Sequence, residues 1–532
     1  MNENVPIYEK ITTFQRGIIT FIVMSGAFMA VLDTTIVDII VPKITAPLKT
    51  DLYGVQWVIT AYMIASATAL ILSEWLDKVI GLRKVYIAGV SLFTFASFLC
   101  GQAQNLEFMI FSRILQGIGE AMIMATAQTI LFSVYPPEKK GIAMGIFGLG
   151  VSFAPAIGPT LGGYITEYLQ WRWVFYINIP FGILTIFLAL FYLPETSFLR
   201  KKEKLNFISF FFLSIFTISL LVLLSKGQQL GWFMSDTIVY LAIISVFSFL
   251  FYILSELLSK KPLIDFSIFR IKEFTIGILV YFLILGFSMY QIFYLLPIYF
   301  ENLKHLTTFQ AGLHILALAF FIALFSPIAG ILSDKWGEKK VLYISTVLYL
   351  FSSLYVLPKL NYYTPSFQAA LMTIPLGISM GMFFAPVTTL ALRNLGEKTS
   401  LGTGLMHYVR FVGGSFGTAI ATNELYKNTY EHFEGIVSMQ NYSYVSYFLE
   451  KIKAFLSLYV SPDILEKKAK VILYKIQELH SFSFSFQDTF FTAGLFGLIG
   501  SIPVFYMFID DVLNKKKKFL TSTEENPVEA KK

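Results

Sequence analysis

The chain has 532 residues, of which 56% are hydrophobic and only 14% charged, with a formal net charge of +7 and a mean hydropathy of +0.66. A soluble domain needs about a quarter of its residues charged, so this balance excludes a water-soluble enzyme and a nucleic-acid-binding protein. The single cysteine, Cys100, excludes a disulfide framework and a cysteine-based metal site.

Charge-poor runs of about 20 residues, the length that crosses a bilayer, recur fourteen times. The first six lie near 17–41, 54–73, 84–103, 107–133, 141–165 and 172–194. Two more follow at 205–225 and 237–258, and a second set of six at 274–299, 310–333, 340–358, 367–392, 402–425 and 489–510. The first run is too long for a signal-peptide core and lacks a small-residue cleavage pattern before Asp33, so it reads as a helix that is kept. Lys and Arg gather in alternate loops: Lys78, Arg83 and Lys84, then Lys139 and Lys140, then 200–204, Lys260 and Lys261, 335–340 and 515–518. Short cytoplasmic loops retain such residues. The expected order is therefore a cytoplasmic N-terminus (1–16), a six-helix bundle (17–194), an inserted pair with cytoplasmic linkers (195–273), a second six-helix bundle (274–510) and a basic cytoplasmic tail (511–532). The positive charge is a signal of topology, and the tail reads as a solvated end near anionic lipid.

Ionisable residues inside spans are costly and persist where they pair or line a water-filled cavity. Span one carries Asp33 and Asp38, and span four carries Arg113 and Glu120, two turns apart on one face and flanking Gln116. Burial and a guanidinium act on Asp33 in opposite senses, which is the chemistry of a proton site that can switch. These four residues are the candidates for proton coupling. Arg410 on span thirteen is expected to satisfy a helix end, and the five histidines are scattered without metal-ligand spacing.

Span five reads GIFGLGVSFAPAIGPTLGGYI, with Gly150, Ala154, Gly158 and Gly162 at every fourth position, Gly163 beside them, and Pro155 and Pro159 within the same stretch. Small residues four apart let a second backbone approach closely in lipid. The prolines should bend the helix at a fixed place, making a hinge between moving halves.

The loop after span two (EWLDKVIGLRKVY) and the loop after span ten (GILSDKWGEKKVL) superpose when Gly81 is aligned with Gly337, and the same offset lays Gly158 over Gly413 and Gly414. Two similar halves of a transporter leave such a register match. Gly81 and Arg83 of the first copy and Gly330, Asp334, Gly337 and Lys340 of the second belong to the two expected cytoplasmic loops. Asp334, beside a helix start, complements the helix dipole. Spans seven and eight have no counterpart and suit lipid contact. In span nine, Met289, Tyr290, Gln291 and Tyr294 join Gln116 as candidates to line a cavity for bulky apolar compounds. The long outer segment, 426–488, shows helical spacing of apolar residues and is expected to form two short amphipathic helices. They have three open placements: on the outer membrane surface, over the cavity, or against an adaptor protein.

The segments LDTTIVDIIVP, QWVITAYMIA, RILQGIG, APAIGPTLGGYI and WRWVFYINIPFG together resemble the drug:proton antiporter branch, with fourteen spans, of the major facilitator superfamily, the group of EmrB-like and QacA-like multidrug exporters. The resemblance covers nearly the whole chain. It implies an all-α fold of two six-helix bundles rocking about a central cavity in the cell membrane, with both termini inside. It also implies export of lipophilic compounds driven by the proton gradient, with no other cofactor, and in double-membrane bacteria often a periplasmic adaptor. Asp33 then matches the family's first-helix acid, Arg113 its fourth-helix arginine, and Gly158, Pro159, Gly162 and Gly163 its antiporter motif, while Gly330, Asp334, Gly337 and Lys340 match the second copy of its cytoplasmic loop motif, to which the resemblance gives a gating role. The chain departs from the pattern at Glu74, where glycine is usual, at Asp77, one residue out of register, and at Asp38 and Glu120, two extra acids.

A dedicated exporter of a metabolite, siderophore or fatty acid would share all of these features, and a proton-driven uptake symporter would share the fold. A membrane receptor or an intramembrane enzyme would need a signalling or catalytic constellation, and the sequence has neither a GxxxxGK[ST] loop nor an HExxH motif.

Overall fold

The computed structural model describes residues 6–194, 204–438, 443–459 and 461–525, and all regular structure among them is helical. This follows from the solvent: inside a bilayer every backbone N–H and C=O must be satisfied within its own segment. The first bundle comprises α1 (Thr13–Ile44), α2 (Trp57–Leu70), α3 (Ser73–Ile80), α4 (Leu82–Gln102), α5 (Leu106–Val134), α6 (Lys140–Tyr168) and α7 (Asn178–Tyr192). The inserted pair is α8 (Phe207–Leu230) and α9 (Asp236–Leu258). The second bundle holds α10 (Lys272–Val280), α11 (Met289–Ile298), α12 (Thr308–Trp336), α13 (Glu338–Phe351), α14 (Ser366–Met372), α15 (Ile374–Leu392) and α16 (Thr399–Ser438). After α17 (Ser443–Leu456) the chain closes the bundle with α18 (Pro462–Glu525). Side chains at 38–39, 41–42, 52–53, 156, 443–444 and 514–525 are outside the description, which removes Asp38 and the 515–518 run from it, as it does the basic residues at 200–203.

Eleven helices are long and apolar enough to cross a membrane, and two bent pairs raise the number to thirteen. One pair is the second span, broken by 54° between α2 and α3; the other is α6, bent by 40° between Pro155 and Ile157. The bend that the prolines of span five predict is therefore present. The remaining expected span, 402–425, lies within α16, where glycine, serine and threonine dilute the hydropathy.

Local chemistry sets the helix ends. Thr12 with Gln15 and Thr307 with Gln310 form capping boxes at the starts of α1 and α12, and Asn105 caps α5. The repeat seen in the sequence is preserved in the backbone. Gly81, between α3 and α4, has φ 94° and ψ 143°, and Gly337, between α12 and α13, has φ 89° and ψ 142°. Only glycine adopts that conformation without strain, so the two sharp turns are one device used twice.

Two elements differ from expectation. The outer segment does not make two separate short helices: α16 continues to Ser438, and α18 begins at Pro462 and runs without a break through the last span. Only α17 is a short amphipathic piece, packed on α18. The inserted pair is also not uniformly lipid-facing. α9 exposes a ladder of large apolar side chains, including Ile243, Phe247, Leu250 and Leu254, as expected. α8 instead bridges the two bundles. Ser225 Oγ lies 2.9 Å from Thr60 Oγ1 on α2, and Thr217 Oγ1 lies 2.8 Å from Tyr408 Oη on α16.

Candidate functional site

α1, α4, α5 and α7 converge on Asp33. The carboxylate is completely buried, and Arg113 beside it is 1% exposed. Arg113 Nη1 donates to Asp33 Oδ2 at 2.5 Å and to Gln116 Oε1 at 2.6 Å, while Nε donates to Val58 O at 3.0 Å. The other carboxylate oxygen accepts from Gln116 Nε2 at 2.9 Å and from Asn178 Nδ2 at 2.8 Å. Gln116 also donates to Ser97 Oγ at 2.8 Å, and the guanidinium lies over the Tyr62 ring, 3.9 Å from its centroid. This explains the i, i+3 spacing of Arg113 and Gln116: one helical turn of α5 presents a charge and an amide to the same acid. Removing either charge would leave the other buried and unpaired, at a cost of about 3–5 kcal/mol.

Of the residues named from sequence, Asp33 and Arg113 meet as expected. Gln116, assigned above to the cavity, belongs instead to this network. Glu120 lies two turns beyond Arg113 on α5, buried and beside Tyr62 and Ser66, with its Oε2 lacking a partner among the described residues. Sequence reasoning missed Asn178, Ser97 and Tyr62. Asn178 carries the one available signal, an amide inside the apolar NIPFG run.

The contact between bundles centres on α6 and α12, which pack along their length. The basic ends meet at Gly141 and Gly330, where a Cβ on Gly330 would stand 2.5 Å from the Gly141 carbonyl oxygen. Asp334 closes this contact by accepting from the backbone N–H of Gly141 at 2.7 Å and of Ile142 at 2.9 Å, so its charge caps the first turn of α6. Higher up, Ser326 Oγ donates to Gly145 O at 2.7 Å, and at the opposite end Gly163 lies against the backbone of Phe309. The four-residue stripe plays a different part from the one expected of it. Gly150 faces Met24 and Gly158 faces Thr35, both on α1, and Gly162 is buried. The inter-bundle seam is the offset set Gly141, Gly145, Gly148 and Gly163.

The first loop copy is engaged despite its shifted register. Asp77 on α3 is half-buried and accepts a hydrogen bond from Ser400 Oγ in the first turn of α16, the counterpart of Asp334 on α6. Arg83 Nη2 donates to Leu190 O at 2.5 Å, within its own bundle. Lys340 is exposed; its neighbours Glu338 and Lys339 pair with Arg393 at 3.0 Å and Asp511 at 2.9 Å. In span nine the backbone widens to a π-helix over Tyr281–Ser288. Met289 is buried in the core of the second bundle, the Tyr290 ring lies against Gly414, and Gln291 is buried with neither amide atom partnered among the described residues. An apolar cleft of about 300 Å³, lined by Trp57, Val222, Lys226 and Leu241, opens between the non-basic end of α2 and the inserted pair.

Comparison with known proteins agrees with this architecture. Residues 23–418 match the family model described as Major Facilitator Superfamily. The chain is 30% identical over 413 residues to the multidrug export protein EmrB of Escherichia coli strain K12, covering 77% of this chain and 80% of that one. It is 33% identical over 412 residues to the riboflavin transporter RibZ of Clostridioides difficile strain 630, covering 76% of this chain and 87% of that one. Among solved structures, the proton:xylose symporter XylE superposes with a TM-score of 0.56 at 13% identity, over 94% of this chain and 96% of that one, a likeness of fold alone. With two bundles, a pair of repeated loops and a family match over most of its length, the chain belongs to the major facilitator superfamily and is a multi-pass membrane transporter, not an enzyme.

Proposed function

We propose that the protein is a proton-driven exporter of amphiphilic small molecules in the cell membrane, with its basic loops and both termini in the cytoplasm. The observation that carries this reading is the Asp33–Arg113 pair, a buried acid held by a guanidinium that cannot itself release a proton. A proton arriving at Asp33 removes the charge that holds Arg113, while Arg113 keeps its bonds to Val58 O and Gln116 Oε1. The tie between α1 and α5 is thereby weakened. Thr35, two residues from Asp33, packs against Gly158 of α6, the helix that meets the second bundle, so a shift of α1 is passed to the inter-bundle seam. Antiport then needs only that proton and cargo prefer different arrangements of the bundles. Similarity to a protein named for multidrug export supports the direction of transport, and similarity to a riboflavin transporter supports a second reading, a dedicated metabolite carrier of the same mechanism.

The test is transport in proteoliposomes under an imposed pH gradient, using a panel of lipophilic cations, neutral compounds and fatty acids. Wild type should move panel members against the gradient, and Asp33→Asn should lose gradient-driven transport while still inserting in the membrane. Retained gradient-driven export in Asp33→Asn would remove Asp33 from the mechanism.

A further inference from the structure

α16 carries two polar side chains that the Asp33 network does not use. His407 is fully buried and Arg410 is 7% exposed, one turn apart on the same helix. Arg410 sits well inside α16, which begins at Thr399, so it does not satisfy a helix end as the sequence led us to expect. Among the described residues Arg410 forms no ion pair, its Nε has no hydrogen-bond partner, and neither ring nitrogen of His407 has one. The Arg410 guanidinium carbon lies 5.7 Å from the Phe411 ring centroid, and a guanidinium at this depth with no carboxylate paired to it is costly and persists where something else meets it.

The surroundings show what that something must look like. Phe411, next to Arg410, packs with Ala121 and Ala125 of α5, which brings this turn of α16 beside Glu120 of the first bundle. Among the described residues Glu120 Oε2 and, two turns along α5, Gln128 Oε1 are also buried without hydrogen-bond partners. The two bundles thus bring unused donors and unused acceptors to one buried region. The walls are aromatic: the Phe147 ring lies 6.2 Å from His407 and 5.8 Å from Phe384, and Phe384 lies 5.9 Å from Tyr281. The π-helix of span nine brings Gly286 close to the backbone of Arg410, where a Cβ would stand 3.0 Å from its carbonyl oxygen.

Resting on the reading of the chain as an exporter, we infer that Arg410, with His407 beside it, receives the acidic headgroup of an amphiphile whose apolar body packs on Phe147, Phe384 and Tyr281. The ligand class is an organic anion, typically a carboxylate on an aromatic or aliphatic body. Glu120 is the internal carboxylate with which that headgroup competes for Arg410. The assignment separates the chain from carriers of lipophilic cations, whose charge Arg410 would repel.

Three probes that share one body test the headgroup directly: 1-pyrenebutyrate, 1-pyrenebutanol and 1-pyrenebutylamine, titrated by fluorescence against the full chain in nanodiscs. Wild type should bind the butyrate at least tenfold more tightly than the alcohol or the amine. Arg410→Gln should lose at least tenfold for the butyrate and stay within twofold for the alcohol, with an unchanged or raised melting temperature showing that it is folded. Glu120→Gln, which removes the competing carboxylate, should tighten the butyrate several-fold. Equal affinity for the three probes in wild type, equal losses for all three in Arg410→Gln, or weaker butyrate binding in Glu120→Gln would each overturn the assignment. Failure of wild type to bind any probe would overturn it too, while leaving gradient-driven transport and its loss in Asp33→Asn as a separate test of the exporter reading.

Discussion

Replacing Gly330 by alanine tests the contact between the bundles with one carbon atom. The new Cβ would stand 2.5 Å from Gly141 O and 2.7 Å from Ile142 Cα, both backbone atoms that no rotamer change can move. Restoring an ordinary carbon–oxygen contact requires α6 and α12 to part by about 1 Å. Asp334, now 2.7 and 2.9 Å from its two amide partners, would then exceed hydrogen-bonding distance at both. Each bond to a charged acceptor contributes about 1.5–3 kcal/mol when well shielded. Asp334 is in contact with water, so roughly 1 kcal/mol each is the appropriate scale, about 2 kcal/mol together. That corresponds to a roughly thirtyfold shift away from the closed basic end. Nitroxide labels at Lys139→Cys and Lys335→Cys, both exposed and on opposite bundles, would report it by pulsed dipolar spectroscopy, since buried Cys100 is shielded from labelling. A new population at longer distance is expected. An unchanged distance distribution in a folded Gly330→Ala protein would refute the claim that this close approach and its acid hold the bundles together.

Gly81→Ala and Gly337→Ala should each lower the melting temperature through backbone strain of about 1–3 kcal/mol, because a Cβ at either position meets nothing within 4 Å while φ is 94° and 89°. Thermal unfolding of the two variants should give similar shifts, and a neutral result at one alone would break the equivalence of the loops. Tyr408→Phe removes the hydrogen bond from α16 to Thr217 of α8 and should cost about 1 kcal/mol, read as loss of protection in hydrogen exchange along α8. On the linker after the inserted pair, Asp265 lies 2.6 Å from the ammonium of Lys398, which precedes α16; this contact, aided by Ser267, lowers the Asp265 carboxyl to about 2. A depressed carboxylate contributes stability above its ordinary value of about 4 and loses it as pH falls toward 2. Because the pair is substantially exposed, Lys398→Ala should destabilise by less than about 1 kcal/mol at neutral pH, and the difference from wild type should vanish in melts near pH 2.

Hydropathy alone made the helices legible, because lipid leaves a backbone no other partner; each of the fourteen apolar runs is mostly helical, and up to thirteen spans are long and apolar enough to cross the membrane. The pairing of Asp33 with Arg113 was legible for the same reason, since two opposite charges in hydrocarbon have few alternatives to one another. The repeat at Gly81 and Gly337 was readable because a left-handed turn admits little else. What a glycine stripe faces is decided by the rotation of its helix, which spacing does not specify. Thus Gly150 and Gly158 turn inward to α1, while Gly141 and Gly145 meet the other bundle. The same holds for α8, whose apolar sequence is equally compatible with lipid and with the gap it bridges between Thr60 and Tyr408. Gln116 is a partner of the acid and not of the cavity, and Arg410 lies in the buried interior and not at a helix end, because both placements depend on neighbours more than 50 residues away in sequence. Which segments enter the membrane, and which charges must be satisfied there, follow from the residues alone; tertiary packing, by fixing helix rotation and approach, selects the partners that satisfy them and carries Arg410 and His407 into the interior.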